Sequence, residues 1–129
     1  MIHGAGEHNT VMVVDDSKDI RDLLSMRLRW KGFEVIEAET GEQAVELAPQ
    51  TCPGLILMDL SMPDMDGYEA TRRIKALPGF SGIPIVAVSA FCGSGNRDKA
   101  LEAGCTECVS KPIDFGIFDS MLSRHLKGH

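Results

Sequence analysis

Short apolar runs alternate with longer amphipathic stretches along this chain, and the alternation predicts strand followed by helix, five times over. The runs are Val11–Val14, Phe33–Ala38, Leu55–Met58, Ile83–Val88 and a weaker Cys108–Val109. Three are apolar without alternation, the mark of strands covered on both faces. Phe33-Glu-Val-Ile-Glu-Ala alternates instead and reads as a half-exposed edge strand. Between the runs, apolar positions recur at helical spacing. Ser17 caps a first helix with the stripe Ile20, Leu23, Leu24 and Leu28, and Gly32 stops it. Thr40 with Gln43 reads as a capping box opening a second helix, with Ala44, Leu47 and Ala48 inward. A third opens after Asp66-Gly67 and turns Ala70, Ile74 and Leu77 to one side. The fourth spans Arg97 to Ala103 and ends at Gly104. The last covers Phe115 to Leu126, with Phe115, Phe118 and Leu122 inward and Ile117 with Met121 as an outward pair. Trp30 and the methionines read as packing.

This order predicts one flavodoxin-like (βα)5 domain: a five-stranded parallel sheet of order 2-1-3-4-5 with helices on both faces. Residues 1–9 read as a flexible tail and 10–129 as the domain. With 129 residues, 43% apolar and 25% charged, the chain is long and apolar enough for a core of its own and unlike a disordered segment. A net charge of -6 argues against a nucleic-acid surface and against docking on an anionic membrane. No uninterrupted apolar run exceeds four residues, far short of the roughly 18 of a membrane span. MIHGAGEHN lacks the basic start and apolar core of a secretory signal. The four cysteines are therefore expected to be reduced thiols in the cytoplasm. Cys105 and Cys108 form a CxxC spacing, but they precede a strand rather than open a helix, and no second pair completes a zinc site. Both are expected to be ordinary, partly buried thiols.

Ligands of open parallel sheets bind beyond the carboxyl ends of the strands, so the residues that end each strand matter most. Strand one ends in Asp15-Asp16, strand three in Asp59, strand four in Ser89 and strand five in Lys111-Pro112; strand two ends in Glu37–Thr40 without a comparable group. Strands one and three are neighbours in the expected order, so three carboxylates, a hydroxyl and an ammonium converge. Crowded carboxylates resist ionisation, and a hard divalent cation such as Mg²⁺ removes the conflict. A carboxylate flanked by Mg²⁺, an ammonium and a hydroxyl is suited to accept a phosphoryl group as an acyl phosphate.

The strings VMVVDDS, LILMDLSMPDMDG, IVAVSA and the pair Lys111-Pro112 resemble the receiver domains of two-component response regulators, including the stand-alone chemotaxis type, over residues 11 to 127. The resemblance implies that Asp59 takes the phosphoryl group from a phosphohistidine of a sensor kinase or phosphotransfer protein. It implies Mg²⁺ held directly by Asp16, through water by Asp15, and by Asp59 and the backbone carbonyl of Ser61. Ser89 would follow the phosphoryl oxygens, Lys111 would pair with them, and the Lys111–Pro112 bond would be cis. Slow autodephosphorylation would reset the switch. The downstream protein would dock on helix four, strand five and helix five, with Ile117 and Met121 in that surface.

Two positions depart from the family pattern. Cys108 stands where Tyr or Phe is usual, three residues before the lysine, and Phe91 follows Ser89 by two, where it is expected to shield the acyl phosphate. The alternatives are a receiver-like module that binds proteins without phosphorylation and an aspartyl phosphohydrolase, which more commonly carries Asp-x-Asp on strand one. An FMN site is disfavoured because Asp-Asp-Ser-Lys-Asp repels a phosphate. Asp64 and Asp66 read as turn formers, Gly93-Ser94-Gly95 as a source of loop freedom, and His3, His8, His125 and His129 as exposed bystanders.

Overall fold

A computed structural model describes residues 9–90, 92, 93 and 95–126. Five strands, β1 (Thr10–Val14), β2 (Glu34–Ala38), β3 (Leu55–Asp59), β4 (Ile85–Ser89) and β5 (Glu107–Ser110), alternate with five helices. The helices are α1 (Lys18–Trp30), α2 (Gly41–Thr51), α3 (Gly67–Lys75), α4 (Asn96–Ala103) and α5 (Phe115–His125). All strand pairs are parallel and the order is 2-1-3-4-5, as the alternation predicts.

The uninterrupted apolar runs are β1, β3 and β4, buried at every position, while β2 at the edge is only partly covered. Alternate residues feed two cores. Met12, Ile56, Met58 and Ala87 pack under α2, α3 and α4 with Ala44, Ile74 and Ala100. Val11, Val13, Leu57 and Val88 pack under α1 and α5 with Leu24, Leu28, Phe118 and Leu122. Ser17, Thr40, Asp66 and Asp114 cap α1, α2, α3 and α5 by accepting from the third residue on. Gln43 reaches back one residue beyond the Thr40 cap and accepts from Glu39 N at 2.6 Å, in place of the Thr40 N–H that a capping box uses.

Several expectations are corrected. The inward face of α1 is Arg21, Leu24, Ser25 and Leu28, and Leu23 is exposed. Trp30, 75% exposed, and Met26 are not core residues either; with Leu23, Arg27 and Phe115 they line an outer groove. The Arg27 guanidinium stacks on the Trp30 and Phe115 rings at 4.8 and 4.9 Å and bonds Asp119 of α5, so the α1–α5 contact is closed by a cation. Met121 is fully buried between Phe118 and Leu122, because 118, 121 and 122 form one helical stripe; only Ile117 of the supposed outward pair is exposed. His125 is half-buried and bonded to Glu107 at 2.6 Å rather than free in solvent. Cys108 is not a thiol: it is joined to Cys92 by a disulfide, whereas Cys52 and Cys105 are free. Asn9, assigned to the tail, accepts from Glu34 N at 2.8 Å beside the sheet. Residues 1–8 of the tail, with His3 and His8, lie outside the described residues, as do Phe91, Ser94 and His129.

Candidate functional site: an acidic pocket at the strand ends

The pocket is assembled from the last residues of β1, β3, β4 and β5. Asp15 continues β1 by donating its N–H to Ala38 O at 3.1 Å. Its side chain then turns in: Oδ1 accepts from Ser17 N at 2.8 Å and Oδ2 from Lys111 Nζ at 3.0 Å. Asp59 closes β3, and its Oδ1 accepts from Ser61 N at 3.1 Å and lies 3.5 Å from Lys111 Nζ. Carboxylate oxygens of Asp15, Asp16 and Asp59 lie within 4.8 Å of one another. Asp15 and Asp59 are buried and Asp16 is exposed. Ser89 ends β4, buried, and its carbonyl accepts from Lys111 N at 2.8 Å, which ties the β5 end to the β4 end. The Lys111–Pro112 bond is cis.

One ammonium faces three carboxylates, and the electrostatics reflect the imbalance. Burial pushes the Asp59 carboxyl up from its usual range, and the charges of Asp15 and Asp16 add to that against Ser61 N–H and Lys111. For Lys111, burial works against the charged form, but the carboxylates of Asp15 and Asp59 outweigh it and hold its pKa above the ordinary lysine value. Such an all-oxygen set, two-thirds buried and short of positive charge, fits a hard divalent cation and offers nothing to a soft one.

Three residues that sequence reasoning missed shape the pocket. Arg21 is buried at the first turn of α1 and donates Nη1 to Asp15 O at 2.8 Å, while Glu37 and Glu39 of the β2 end lie 3.3 and 3.6 Å away. It fixes the backbone that carries Asp15, and its only sequence signal is a cation one turn before Leu24 and Ser25. Gly67, the first residue of α3, lies against Asp59: a Cβ there would stand 2.1 Å from Asp59 O and 2.7 Å from Leu60 Cα. The Asp66-Gly67 pair marked a helix start but not this close approach. Cys92 is the third; pairing with Cys108 across the β4–β5 edge is invisible to spacing rules.

Comparison with known proteins agrees with this arrangement. Residues 11–122 match the response regulator receiver domain family. The polar-differentiation response regulator DivK of Brucella ovis is 32% identical over 117 residues, covering 91% of this chain and 95% of that protein. The chemotaxis protein CheY4 of Vibrio cholerae superposes with a TM-score of 0.87 at 27% identity, over 91% of this chain and 98% of its own. The receiver domain of the sensor histidine kinase PA1611 of Pseudomonas aeruginosa superposes with a TM-score of 0.85 at 31% identity, over 92% and 97% of the two chains, and holds a magnesium ion in its active-site cleft. No helix among the described residues is long and apolar enough to cross a membrane. With its sheet order, its acidic pocket and its match along nearly the whole length, the chain belongs to the response regulator receiver domains, signalling domains of two-component systems.

Proposed function

We propose that this domain is a phosphorylation-controlled switch in which Asp59 accepts a phosphoryl group from the phosphohistidine of a sensor kinase or a histidine phosphotransfer protein. The observation that carries the reading is the Asp59 carboxylate, buried at the end of β3 with Lys111 on one side and the Asp15-Asp16 pair on the other. An Asp59 oxygen attacks phosphorus, the phosphorus–nitrogen bond breaks, and the imidazole leaves with the electron pair. Asp15, Asp16 and Asp59, with the backbone carbonyl of Ser61, are the groups that would hold Mg²⁺. When bound, that ion offsets the negative charge that the carboxylates and the phosphoryl oxygens bring together. Lys111, already held cationic by its two carboxylate neighbours, pairs with a phosphoryl oxygen, and the Ser89 hydroxyl takes another. Arg21 keeps Asp15 in place through its carbonyl. Slow hydrolysis resets the domain.

The output face is α4–β5–α5, with Leu101 of α4 and Ile117 of α5 as exposed apolar residues; Met121 is buried and takes no part. A kinase-fed donor places the reaction in the cytoplasm. The experiment is intact-mass spectrometry after incubation with acetyl phosphate and Mg²⁺. One phosphoryl adduct, lost in Asp59→Asn and in chelator, is the expected result. No adduct from acetyl phosphate or from a phosphorylated histidine phosphotransfer protein, with the domain folded, would leave a module that acts by protein contacts alone.

A further inference from the structure

The disulfide between Cys92 and Cys108 lies beside the phosphoacceptor pocket, and nothing in phosphoryl transfer uses it. Cys92 follows the β4 end by three residues, and its Sγ is 3.8 Å from the Ser89 carbonyl oxygen. Cys108 is in β5, opposite Ala87 of β4 and two residues before Ser110, which is opposite Ser89. The crosslink spans 16 residues and encloses all of α4 in its ring. It therefore fastens the segment that leaves Ser89 to the neighbouring strand, at the root of the output face.

Two features of that segment act in opposite senses. Gly93 and Gly95 give the backbone freedom, and Gly95 sits at φ +91, where other residues are strained. A crosslink one residue earlier withdraws that freedom. The combination makes physical sense when the crosslink is removable. Both cysteines are half-buried residues, unlike Cys105, which is buried against Thr71 of α3, and exchange with another thiol needs such partial exposure. In a cytoplasm that keeps most thiols reduced, a disulfide of this kind is a transient state rather than a permanent staple.

We propose that Cys92 and Cys108 form a reversible redox modification site, and that its oxidised state restrains phosphorylation-driven switching by holding the Ser89 segment to β5. The inference rests on the reading of Asp59 as phosphoacceptor. The reductant is a dithiol carrier. One carrier thiolate attacks a sulfur of the Cys92–Cys108 bond, forming a mixed disulfide and releasing the other cysteine as a thiolate. The second carrier thiol displaces the remaining cysteine, so two electrons and two protons pass to the chain and the carrier leaves as a disulfide. Re-oxidation passes both electrons to a peroxide, with two thiols and one hydrogen peroxide giving the disulfide and two waters.

The test uses the folded full chain, oxidised or reduced with dithiothreitol. Thiol alkylation followed by mass spectrometry reports the redox state, and acetyl phosphate with Mg²⁺ reports phosphoryl uptake. Reduction under native conditions should add two alkylatable thiols, at Cys92 and Cys108, and phosphoryl uptake should become about tenfold faster, an ordinary size for coupling between two sites. Cys92→Ser/Cys108→Ser should match the reduced protein in either buffer. Should that variant not fold, the same comparison is made on chemically reduced, alkylated wild-type protein. Equal uptake by the oxidised and reduced forms overturns the inference and leaves the phosphoacceptor reading intact. A disulfide that native dithiothreitol does not open also overturns it. Uptake in neither state, from acetyl phosphate or from a phosphorylated histidine phosphotransfer protein, overturns the phosphoacceptor reading and this inference with it.

Discussion

Gly67→Ala is the sharpest perturbation the geometry offers, because it adds one methyl group and changes no charge. The new Cβ would stand 2.1 Å from Asp59 O, 2.7 Å from Leu60 Cα and 2.9 Å from Asp59 C, against 3.4 Å or more for ordinary contact. The first gap must therefore open by more than an ångström. All three obstacles are backbone, so no side chain can swing aside. Either α3 moves off the sheet or the β3 end moves, and Gly67 N is itself bonded to Leu60 O at 3.2 Å. Overpacking of this kind costs about 1–3 kcal/mol, which shifts the Tm of a domain this size by roughly 3–10 °C. The functional cost is larger, because a misplacement of about 1 Å at reacting groups lowers rates on the order of a hundredfold. Urea unfolding and the initial rate of phosphoryl uptake, measured in conditions where the variant remains folded, separate the two effects. Gly82→Ala, where nothing lies within 4 Å, is the control and should match wild type in both. Wild-type stability and uptake in Gly67→Ala would refute the close approach to Asp59 and the positional argument built on it.

Three further outcomes are expected. Lys111→Ala leaves Asp15 and Asp59 without their shared cation, and metal-free protein should lose about 1–2 kcal/mol, discounted because Lys111 is partly exposed; unchanged urea midpoints would contradict this. Mg²⁺ should raise the Tm of wild type by the linkage expected of a ligand of the native state, about 2.7 kcal/mol at a hundred times its Kd, and Asp16→Asn or Asp59→Asn should blunt the rise. Differential scanning fluorimetry across a Mg²⁺ series, with matched ionic strength, reads it. The third concerns Glu107, where burial pushes the carboxyl up but the bonds from His125 and Arg124 outweigh it and hold it below the ordinary 4.5. The native state then binds fewer protons than the unfolded chain, so this contribution is complete above about pH 4.5 and lost as pH falls through the lowered value. Glu107→Gln should flatten the acid limb of the stability curve, and parallel acid limbs would show that the pairing has no such role.

The fold was legible because most of its strands and helices advertise themselves twice, by period and by their end residues; β5 and α4 carry the weakest signals. β1, β3 and β4 are apolar apart from one terminal residue each because both faces are covered, and β2 alternates because it is an edge. The pocket was legible for a related reason: in a parallel sheet every strand delivers its last residue to the same edge. What escaped depended on contacts between elements. In α1, Leu23 and Leu24 are equally apolar, and the choice between them is made by Arg21, whose guanidinium can be buried because the Asp15 carbonyl accepts from it. In α5, by contrast, the helical spacing of Phe118, Met121 and Leu122 itself turns Met121 inward and leaves Ile117 outside, so this placement was readable from the sequence. The Cys92–Cys108 bond required knowing where the chain goes after β4, whereas the CxxC spacing drew attention to Cys105, which faces α3.

The most direct test of the central claim locates the phosphoryl group. The adduct formed with acetyl phosphate and Mg²⁺ is treated with borohydride, which reduces an acyl phosphate to the alcohol, and the peptide carrying residues 55–67 is sequenced by mass spectrometry. Homoserine at position 59, absent without Mg²⁺, is the predicted result. An unmodified Asp59 beside a phosphoryl group on another residue would contradict the account.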